Sequence, residues 1–205
     1  MPPVSTPHDL LVLHGLRVVG FCGIERLAEA TGLNHDDVES ELIDLAVAGL
    51  VTRTPGPFGG WGPTEAGRIS DARRIGAELD RTGARALAVR THEAFEELNP
   101  EALDLCGAWQ LRSLDGVVTA NDHADPAYDA RVLAAFADLE RRTADVCADL
   151  SRALPRFGRY RVRLAGALER AQAGGLDQVA DATDSFHTVW SQLHEDLLAT
   201  LGIAR

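Results

Sequence analysis

The fold of the first third of the chain is decided by residues 24–34, which read IERLAEATGLN. Ile24, Leu27 and Ala28 recur at the spacing of one helix face, and Gly32 is suited to the left-handed conformation that ends many helices. Asn34 can then cap the next helix by accepting a hydrogen bond from a backbone N–H. The stretch therefore predicts two helices joined by a tight turn.

The segments on either side of this stretch complete a small fold. Before it lie a leucine-rich helix over residues 8–17 and a short extended piece at residues 18–22. After it come a helix that ends at Gly49, the β-rich segment LVTRT at residues 50–54, a Pro- and Gly-rich turn at residues 55–60, and WGP as a return strand. The order helix, strand, helix, turn, helix and hairpin predicts a winged helix-turn-helix with a two- or three-stranded wing.

Three short segments carry a resemblance to bacterial regulators of the MarR and PadR types. They read IERLAEATGL at residues 24–33, AGLVTR at residues 48–53 and PTEAGR at residues 63–68. They resemble the helix-turn-helix, the start of the wing and the segment after the wing in those families, over about residues 8–70. The resemblance implies that residues 1–67 form a winged helix-turn-helix domain and that two copies bind double-stranded DNA as a homodimer.

The charge of this domain conflicts with the way such folds usually bind DNA. The third helix, residues 34–44, reads NHDDVESELID and has five carboxylates and no arginine, and residues 1–67 have a net charge of −6. Since phosphates repel carboxylates, DNA contacts are expected from side chains on and just after the wing. The predicted DNA-binding residues are Arg53, Trp61, Arg68, Arg73 and Arg74. The alternative is an adaptor that regulates a partner enzyme or complex through its acidic winged-helix surface.

Residues 68–205 have long helical patterns and no strand pattern, which predicts an all-α domain for dimerisation and effector binding, and a mainly α chain overall. Asn99-Pro100 and Asp125-Pro126 each place a capping side chain before a proline, so each pair predicts the start of a helix. The last helix, residues 185–201, has a wide apolar arc. Either this helix or the helix after the wing is expected to form the dimer interface.

Polar-tipped aromatic residues in this domain indicate a pocket for a polar or anionic small molecule. The loop at residues 121–129 reads NDHADPAYD and is expected to fold back onto the last helix. The predicted ligand-binding residues are Trp109, Arg112, Asn121, His123, Asp125, Tyr128, His187, Trp190 and His194. Two interpretations of the loop remain. Asp122, His123 and Asp125 could ligate a divalent metal ion. Alternatively, Asp125 caps the next helix, Asn121 or Asp122 makes an Asx turn and His123 is solvated. A metal-dependent enzyme centred on this loop is a third functional hypothesis.

A row of arginines is the main basic feature of the sequence. If these residues share one helix, they fall within about 60° of arc at 100° per residue. The predicted anion-binding patch consists of Arg156, Arg159, Arg163 and Arg170. The alternative is a solvated face that pairs with nearby carboxylates.

The composition limits the remaining possibilities. The chain has 205 residues and a net charge of −11, and all twenty of its basic residues are arginine. Such a chain is a poor non-specific ligand for nucleic acid or anionic lipid. No apolar run is long enough for a membrane span and no signal peptide is evident, so we predict a cytoplasmic protein that does not bind membranes.

Motifs that carry chemistry are sparse. Cys22, Cys106 and Cys147 are widely spaced and are expected to be small buried residues. The sequence has no phosphate-binding glycine loop, no G-x-S-x-G and no H-E-x-x-H. We therefore expect no catalysis and no cofactor, and the sequence assigns no metal site.

Overall fold

The computed structural model describes residues 5–56, 58–114 and 116–203. Within these ranges the chain has eight α-helices and two small antiparallel strand pairs, which confirms the prediction of a mainly helical chain. The helices are α1 (His8–Val19), α2 (Ile24–Thr31), α3 (His35–Val47), α4 (Glu65–Thr82), α5 (Arg85–Gln110), α6 (Pro126–Ala153), α7 (Gly158–Gln172) and α8 (Phe186–Leu201). The strands are β1 (Val51–Thr54), β2 (Gly60–Pro63), β3 (Leu111–Leu114) and β4 (Val117–Ala120).

Internal contacts divide the chain into two compact units. The first comprises Met1–Val89, Asp149–Arg159 and Glu195–Arg205, and the second comprises Arg90–Ala148 and Tyr160–His194. The first unit therefore combines the N-terminal region with two segments from the second half of the chain. Residues that are far apart in the sequence can meet within it.

The N-terminal part of the first unit is built from α1, α2 and α3, which pack their apolar faces together. As the sequence predicts, Gly32 ends α2 in the left-handed conformation with φ 78°. The side chain of Asn34 caps α3 by accepting a hydrogen bond from the N–H of Asp37 at 2.8 Å. Both signals are local, and both form as expected. The buried core that the three helices share includes Leu13, Leu16, Leu27, Val38 and Leu42.

The strands β1 and β2 form an antiparallel hairpin after α3, and Arg53 lies opposite Trp61 in its register. Cys22, in the link between α1 and α2, forms a β-bridge to Trp61 through N···O hydrogen bonds of 3.1 and 2.8 Å. A side chain at Gly60 would collide with the backbone of Cys22, because an added Cβ would lie 2.8 Å from that carbonyl oxygen. The small residue thus permits this close approach.

The second hairpin corrects the prediction of an all-α region over residues 68–205. Strands β3 and β4 pair antiparallel, with Arg112 opposite Thr119. Every residue of β4 is exposed, including Val117 and Val118. A strand that is exposed on both faces has no alternation of polar and apolar residues, so the sequence pattern did not reveal it.

The helix start predicted at Asn99-Pro100 was wrong, whereas the one at Asp125-Pro126 corresponds to the beginning of α6. Helix α5 continues through Pro100, although proline cannot donate the usual hydrogen bond to Glu96. Asn99 does not act as a cap, because its Oδ1 accepts a hydrogen bond from Trp190 Nε1 at 2.9 Å. A tertiary contact has therefore replaced the local one.

The apolar arc of α8 is buried within a single chain. All of its large side chains except the half-buried Leu201 are at most 2% exposed. This face is therefore not available for the dimer interface that the sequence suggested for either α8 or the helix after the wing. The predicted arc consists of Phe186, Val189, Trp190, Leu193, Leu197 and Leu201. In the part of the chain that the structure describes, no helix has the length and apolar character needed to cross a bilayer.

Candidate functional site

The predicted DNA-binding residues lie on the β1–β2 hairpin and on α4. Arg53 is exposed, and its Cζ lies 5.9 Å from the ring centroid of Trp61. Arg68 is 3.6 Å from Glu65 in an exposed ion pair, and Arg74 donates a hydrogen bond to Asp9 at 2.7 Å. Arg73 is exposed on α4. Two of the four arginines are thus already close to carboxylates of the same chain.

A small cleft of about 210 Å³ opens between the start of α2 and the β1–β2 hairpin. Its lining includes Ile24, Glu25, Arg53 and Trp61. The cleft therefore has one carboxylate, one guanidinium and one aromatic ring. It has no concentration of positive charge that would select an anion.

The exposed face of α3 combines carboxylates with apolar side chains. Asp36, Glu39 and Asp44 are all exposed on it. Ile43 is 51% exposed and Val47 is 85% exposed. Ile43 and Val47 are four residues apart and form a small apolar pair among these charges, and carboxylates oppose contact with phosphates.

A buried ionic cluster in the first unit was not predicted from the sequence. His14 on α1 lies between two carboxylates: its Nδ1 is 3.0 Å from Asp71 Oδ1 and its Nε2 is 3.1 Å from Asp196 Oδ1. All three side chains are buried. Burial alone lowers the pKa of His14, but the charges and hydrogen bonds of Asp196 and Asp71 outweigh it and raise the pKa to about 9. At neutral pH His14 is therefore a cation that donates from both ring nitrogens.

Arg156 extends this cluster, and we refer to the whole set as the His14 cluster. It forms a buried ion pair with Glu78 and donates to Thr200 Oγ1 at 2.8 Å. Thr200 in turn donates to Asp196 Oδ1 at 3.0 Å. The buried charges therefore have partners of opposite sign or hydrogen-bond donors, as the stability of buried ions requires. The members are His14, Asp71, Glu78, Arg156, Asp196 and Thr200.

The loop at residues 121–129, in the second unit, is closed by hydrogen bonds to the end of α5. Asn121 Nδ2 donates to the carbonyl of Trp109 and to Asp129 Oδ1, both at 3.0 Å. His123 Nδ1 lies 3.0 Å from Asp129 Oδ2, and its ring is 4.6 Å from that of Trp109. His123 adopts a positive φ of 56°, which is uncommon for a residue with a side chain. We call this set of contacts the Asn121 loop network.

The carboxylates of this loop cap local structure. Asp125 Oδ1 accepts from the N–H of Tyr128 at 3.0 Å, and this hydrogen bond is the main cause of the lowered pKa of Asp125. Arg112 lies 3.3 Å from Asp125 and 5.2 Å from the ring of Tyr128. Asp122 Oδ1 accepts from the N–H of Ala124 at 3.1 Å. These contacts favour the capping interpretation of the loop over the metal-binding one.

The residues predicted to form one ligand pocket make two separate sets of contacts with α5. The loop residues contact Ala108 and Trp109, at the end of the helix. Trp190 contacts Asn99, and His194 contacts Glu96. Trp109 is ten residues beyond Asn99, which corresponds to about 15 Å along a helix. The half-buried His187 has its backbone N–H bonded to the carbonyl of Val179.

The part of α5 near Glu96 contributes to a group of side chains that could ligate a metal ion. The sequence analysis missed this group, which we call the His92 cluster. It consists of His92, Glu96 and His194, whose ligand atoms all lie within 4.8 Å of one another. His194 Nε2 is 2.7 Å from Glu96 Oε1, and His92 Nε2 is 3.9 Å from the same oxygen. The spacing of His92 and Glu96, four residues apart on one helix face, was the available signal.

The four arginines of the predicted anion patch do not form one helical row. Arg156 precedes α7, in a 3-10 turn over Pro155–Phe157, and is buried in the His14 cluster. Arg159 donates to the carbonyl of Glu29 at 3.0 Å. Arg163 donates to Gln192 at 2.7 Å, and Arg170 donates to Asp184 Oδ2 at 2.8 Å. Each guanidinium thus has its own partner within the chain, and two of the four are buried.

Comparisons with family models, curated proteins and solved structures give no significant match for this chain.

Proposed function

We propose that residues 1–67 form a winged helix-turn-helix, and that the chain is a regulatory protein with no catalytic step. The order of elements supports this: α1, the β-bridge at Cys22, α2, α3 and then the β1–β2 hairpin. The hairpin corresponds to the wing, and Cys22 contributes the short third strand. On this proposal, residues 68–205 form the dimerisation and effector-binding part.

The exposed face of α3 is the main observation that favours a protein over DNA as the binding partner. In a winged helix this is the helix that enters the major groove of DNA. Here it presents Asp36, Glu39 and Asp44 around the exposed Ile43 and Val47. Carboxylates gain nothing from phosphates, but they complement lysine and arginine, and the two apolar side chains can fill a partner's pocket. We infer that this face binds a basic protein surface and that the chain acts as an adaptor.

DNA binding is the second candidate, and the wing is the feature that favours it. Arg53 is exposed beside Trp61, and Arg68 and Arg73 follow on α4. An arginine on a wing can contact the phosphate backbone or enter the minor groove without help from α3. Because so few cations are available, such binding would be weak, and its salt dependence would be shallow, since the slope scales with the number of phosphate contacts.

One experiment separates the two targets. The full chain is tested against a pool of random double-stranded DNA and against an array of Lys- and Arg-rich peptides with and without leucine, at about 50 mM salt. We expect retention of the leucine-containing basic peptides and not of DNA. The triple variant Asp36→Asn, Glu39→Gln, Asp44→Asn should lose the peptides.

The matched control neutralises three exposed carboxylates on α5 instead: Glu93→Gln, Glu97→Gln and Asp104→Asn. It should bind the peptides as wild type does. Retention of DNA by the wild type that is lost in the double variant Arg53→Ala, Arg68→Ala would establish the wing and the start of α4 as the contact and reject the adaptor. Equal peptide binding by both triple variants would show that α3 is not the docking face.

A homodimer remains part of the proposal, with α4 as the candidate interface because the arc of α8 is buried. Ile69 on α4 is exposed, as an interface residue is in the isolated protomer. Sedimentation at micromolar concentration should give a dimer, and Ile69→Asp should shift it to monomer. A wild-type monomer at that concentration would contradict this assignment.

A further inference from the structure

Two ligand residues of the His92 cluster come from one face of α5. His92 and Glu96 are four residues apart, so their side chains project from neighbouring turns of the helix. Phe95, beside them, is fully buried and stacks on Trp190 with ring centroids 4.6 Å apart. It also contacts the ring of His194 at 5.4 Å. The aromatic packing therefore fixes α8 where His194 can meet Glu96.

The distances within the cluster suit a single metal ion. A zinc ion lies about 2.0–2.2 Å from its nitrogen and oxygen ligands, so those ligand atoms are separated by roughly 3–4 Å. The separations here are 2.7 Å between His194 Nε2 and Glu96 Oε1, and 3.9 Å between His92 Nε2 and the same oxygen. All three ligand atoms are within 4.8 Å of one another. Side-chain adjustments of less than about 1 Å would bring them to bonding distance.

An unsatisfied nitrogen supports this assignment independently of the distances. His92 Nε2 is buried from solvent and has no hydrogen-bond partner. A buried polar atom without a partner costs stability, and each such atom in a folded protein calls for an explanation. A metal ion bound to Nε2 supplies the missing interaction.

The chemistry of the ligands selects the class of ion. Two imidazoles and one carboxylate suit divalent transition metals such as zinc, cobalt, nickel and iron, whereas calcium and magnesium prefer oxygen ligands. Glu96 is 43% exposed, so the site is open to solvent on one side. Three protein ligands with an open side are typical of sites that bind a further water or small ligand.

We propose that His92 Nε2, the carboxylate of Glu96 and His194 Nε2 bind one divalent transition metal ion. This site goes beyond the proposed function and does not depend on whether the target is protein or DNA. It would make the metal ion, alone or with a small molecule on its open side, the effector of the helical region. The site also differs from the 121–129 loop that the sequence singled out.

The test uses the full chain, first treated with a chelator and then titrated with Co²⁺ and with Zn²⁺. Calorimetry should give one ion per chain, and the Co²⁺ form should show d–d absorption bands of a nitrogen- and oxygen-ligated ion. The thermal midpoint should rise with either ion. Absence of saturable binding in the wild type up to millimolar metal would overturn the proposal.

Variants locate the ion. Glu96→Gln changes an exposed side chain and should fold normally, yet it should weaken binding by about 10–100-fold or more. His92→Ala should do the same. The matched controls are Glu97→Gln, an exposed neighbour on α5, and His35→Ala, an exposed histidine on α3. If all four variants bind Co²⁺ as tightly as wild type, the ion lies elsewhere and the assignment is wrong.

Discussion

Each unit has a cluster of histidine and carboxylate side chains, and the two clusters differ in how fully they are satisfied. In the first unit, His14 is 3% exposed, and each of its ring nitrogens contacts a carboxylate. In the second unit, the side chains of His92 and His194 are 18% exposed and share one carboxylate, while His92 Nε2 has no hydrogen-bond partner. The same residue types therefore form a cluster whose histidine is bonded through both ring nitrogens in one unit and a cluster with an unbonded histidine nitrogen in the other; in the first, Arg156 Nε lies 3.5 Å from Asp196 without a hydrogen bond.

This difference in hydrogen bonding offers a way to distinguish a structural cluster from a ligand-binding one. In the His14 cluster, two cations and three carboxylates are joined by donors such as Thr200. Added metal would have to displace those partners. In the His92 cluster, an ion would replace the 2.7 Å contact between His194 Nε2 and Glu96, but it would break no hydrogen bond of His92 Nε2. The bonding of the histidines, rather than residue type, is what favours a structural role for the first cluster and the proposed ligand role for the second.

The largest expected effect comes from breaking the complete cluster. His14→Leu removes the cation from between Asp71 and Asp196 and leaves two buried carboxylates without it. Loss of one partner from a buried ion pair costs about 3–5 kcal/mol. Urea unfolding at neutral pH should show this loss in the free energy of unfolding. His35→Leu, on the exposed face of α3, is the control and should change it by less than about 0.5 kcal/mol.

A decrease of the unfolding free energy with rising pH should reveal the contribution of His14 to stability. Its pKa is about 9 in the folded chain, where Asp196, Asp71 and the nearby Arg156 surround it, against the ordinary 6.5 in the unfolded chain. Between these values the folded state holds a proton that the unfolded state has released. The stabilisation that protonated His14 gives the folded state is therefore fully present below pH 6.5, and it is lost as the pH rises through 9.

We expect the free energy of unfolding to fall by up to about 1.4 kcal/mol per pH unit above pH 6.5. The pH range of the measurement should end near pH 8.5. Burial raises the pKa of the Cys22 and Cys106 thiols to about 11, so at higher pH these thiols cause a further loss of stability. His14→Leu should lack the decline. An equal slope in the variant would assign the effect to another group.

The Asn121 loop network offers an intermediate case. Asn121→Ala removes the donor that joins Asp129 to the carbonyl of Trp109. Leaving these acceptors unsatisfied should cost about 1–3 kcal/mol of unfolding free energy, measured in urea. Asp122→Asn, on an exposed side chain, should be nearly neutral. If Asn121→Ala is also neutral, the network does not hold the loop.

The parts of the fold that the sequence predicted depend on local signals. Gly32 and Asn34 act on the turn in which they stand, so α2 and α3 were placed well. The β3–β4 hairpin was missed because β4, which is exposed along its whole length, has no alternating pattern. Asn99-Pro100 misled because Asn99 bonds to Trp190, which is 91 residues away in the sequence.

The clusters follow the same rule. His14 meets Asp71 and Asp196 across 57 and 182 residues, and no spacing in the sequence indicates such contacts. The His92 cluster was half visible, because His92 and Glu96 share one helix face. Its third member could be recognised only once α8 was placed by the packing of Phe95 and Trp190.

The smallest expected change in stability is that of His92→Leu in metal-free protein, and it tests the comparison of the His14 and His92 clusters most directly. His92→Leu replaces a buried nitrogen without a hydrogen bond by an apolar group of similar size. The unfolding free energy should therefore stay unchanged or rise by up to about 1 kcal/mol. His194→Leu removes the 2.7 Å contact with Glu96 and should lower it by about 0.5–1.5 kcal/mol.

Only His194→Leu should lower the stability of the metal-free chain, whereas both substitutions should weaken metal binding. A residue kept for packing alone would lose stability when replaced, whereas a residue kept for a ligand can be replaced without that loss. Urea unfolding in the presence of chelator measures the first property, and the Co²⁺ titration measures the second. If His92→Leu destabilises the metal-free chain as much as His14→Leu does, then His92 has internal partners as complete as those of His14. The distinction between the two clusters would then fail.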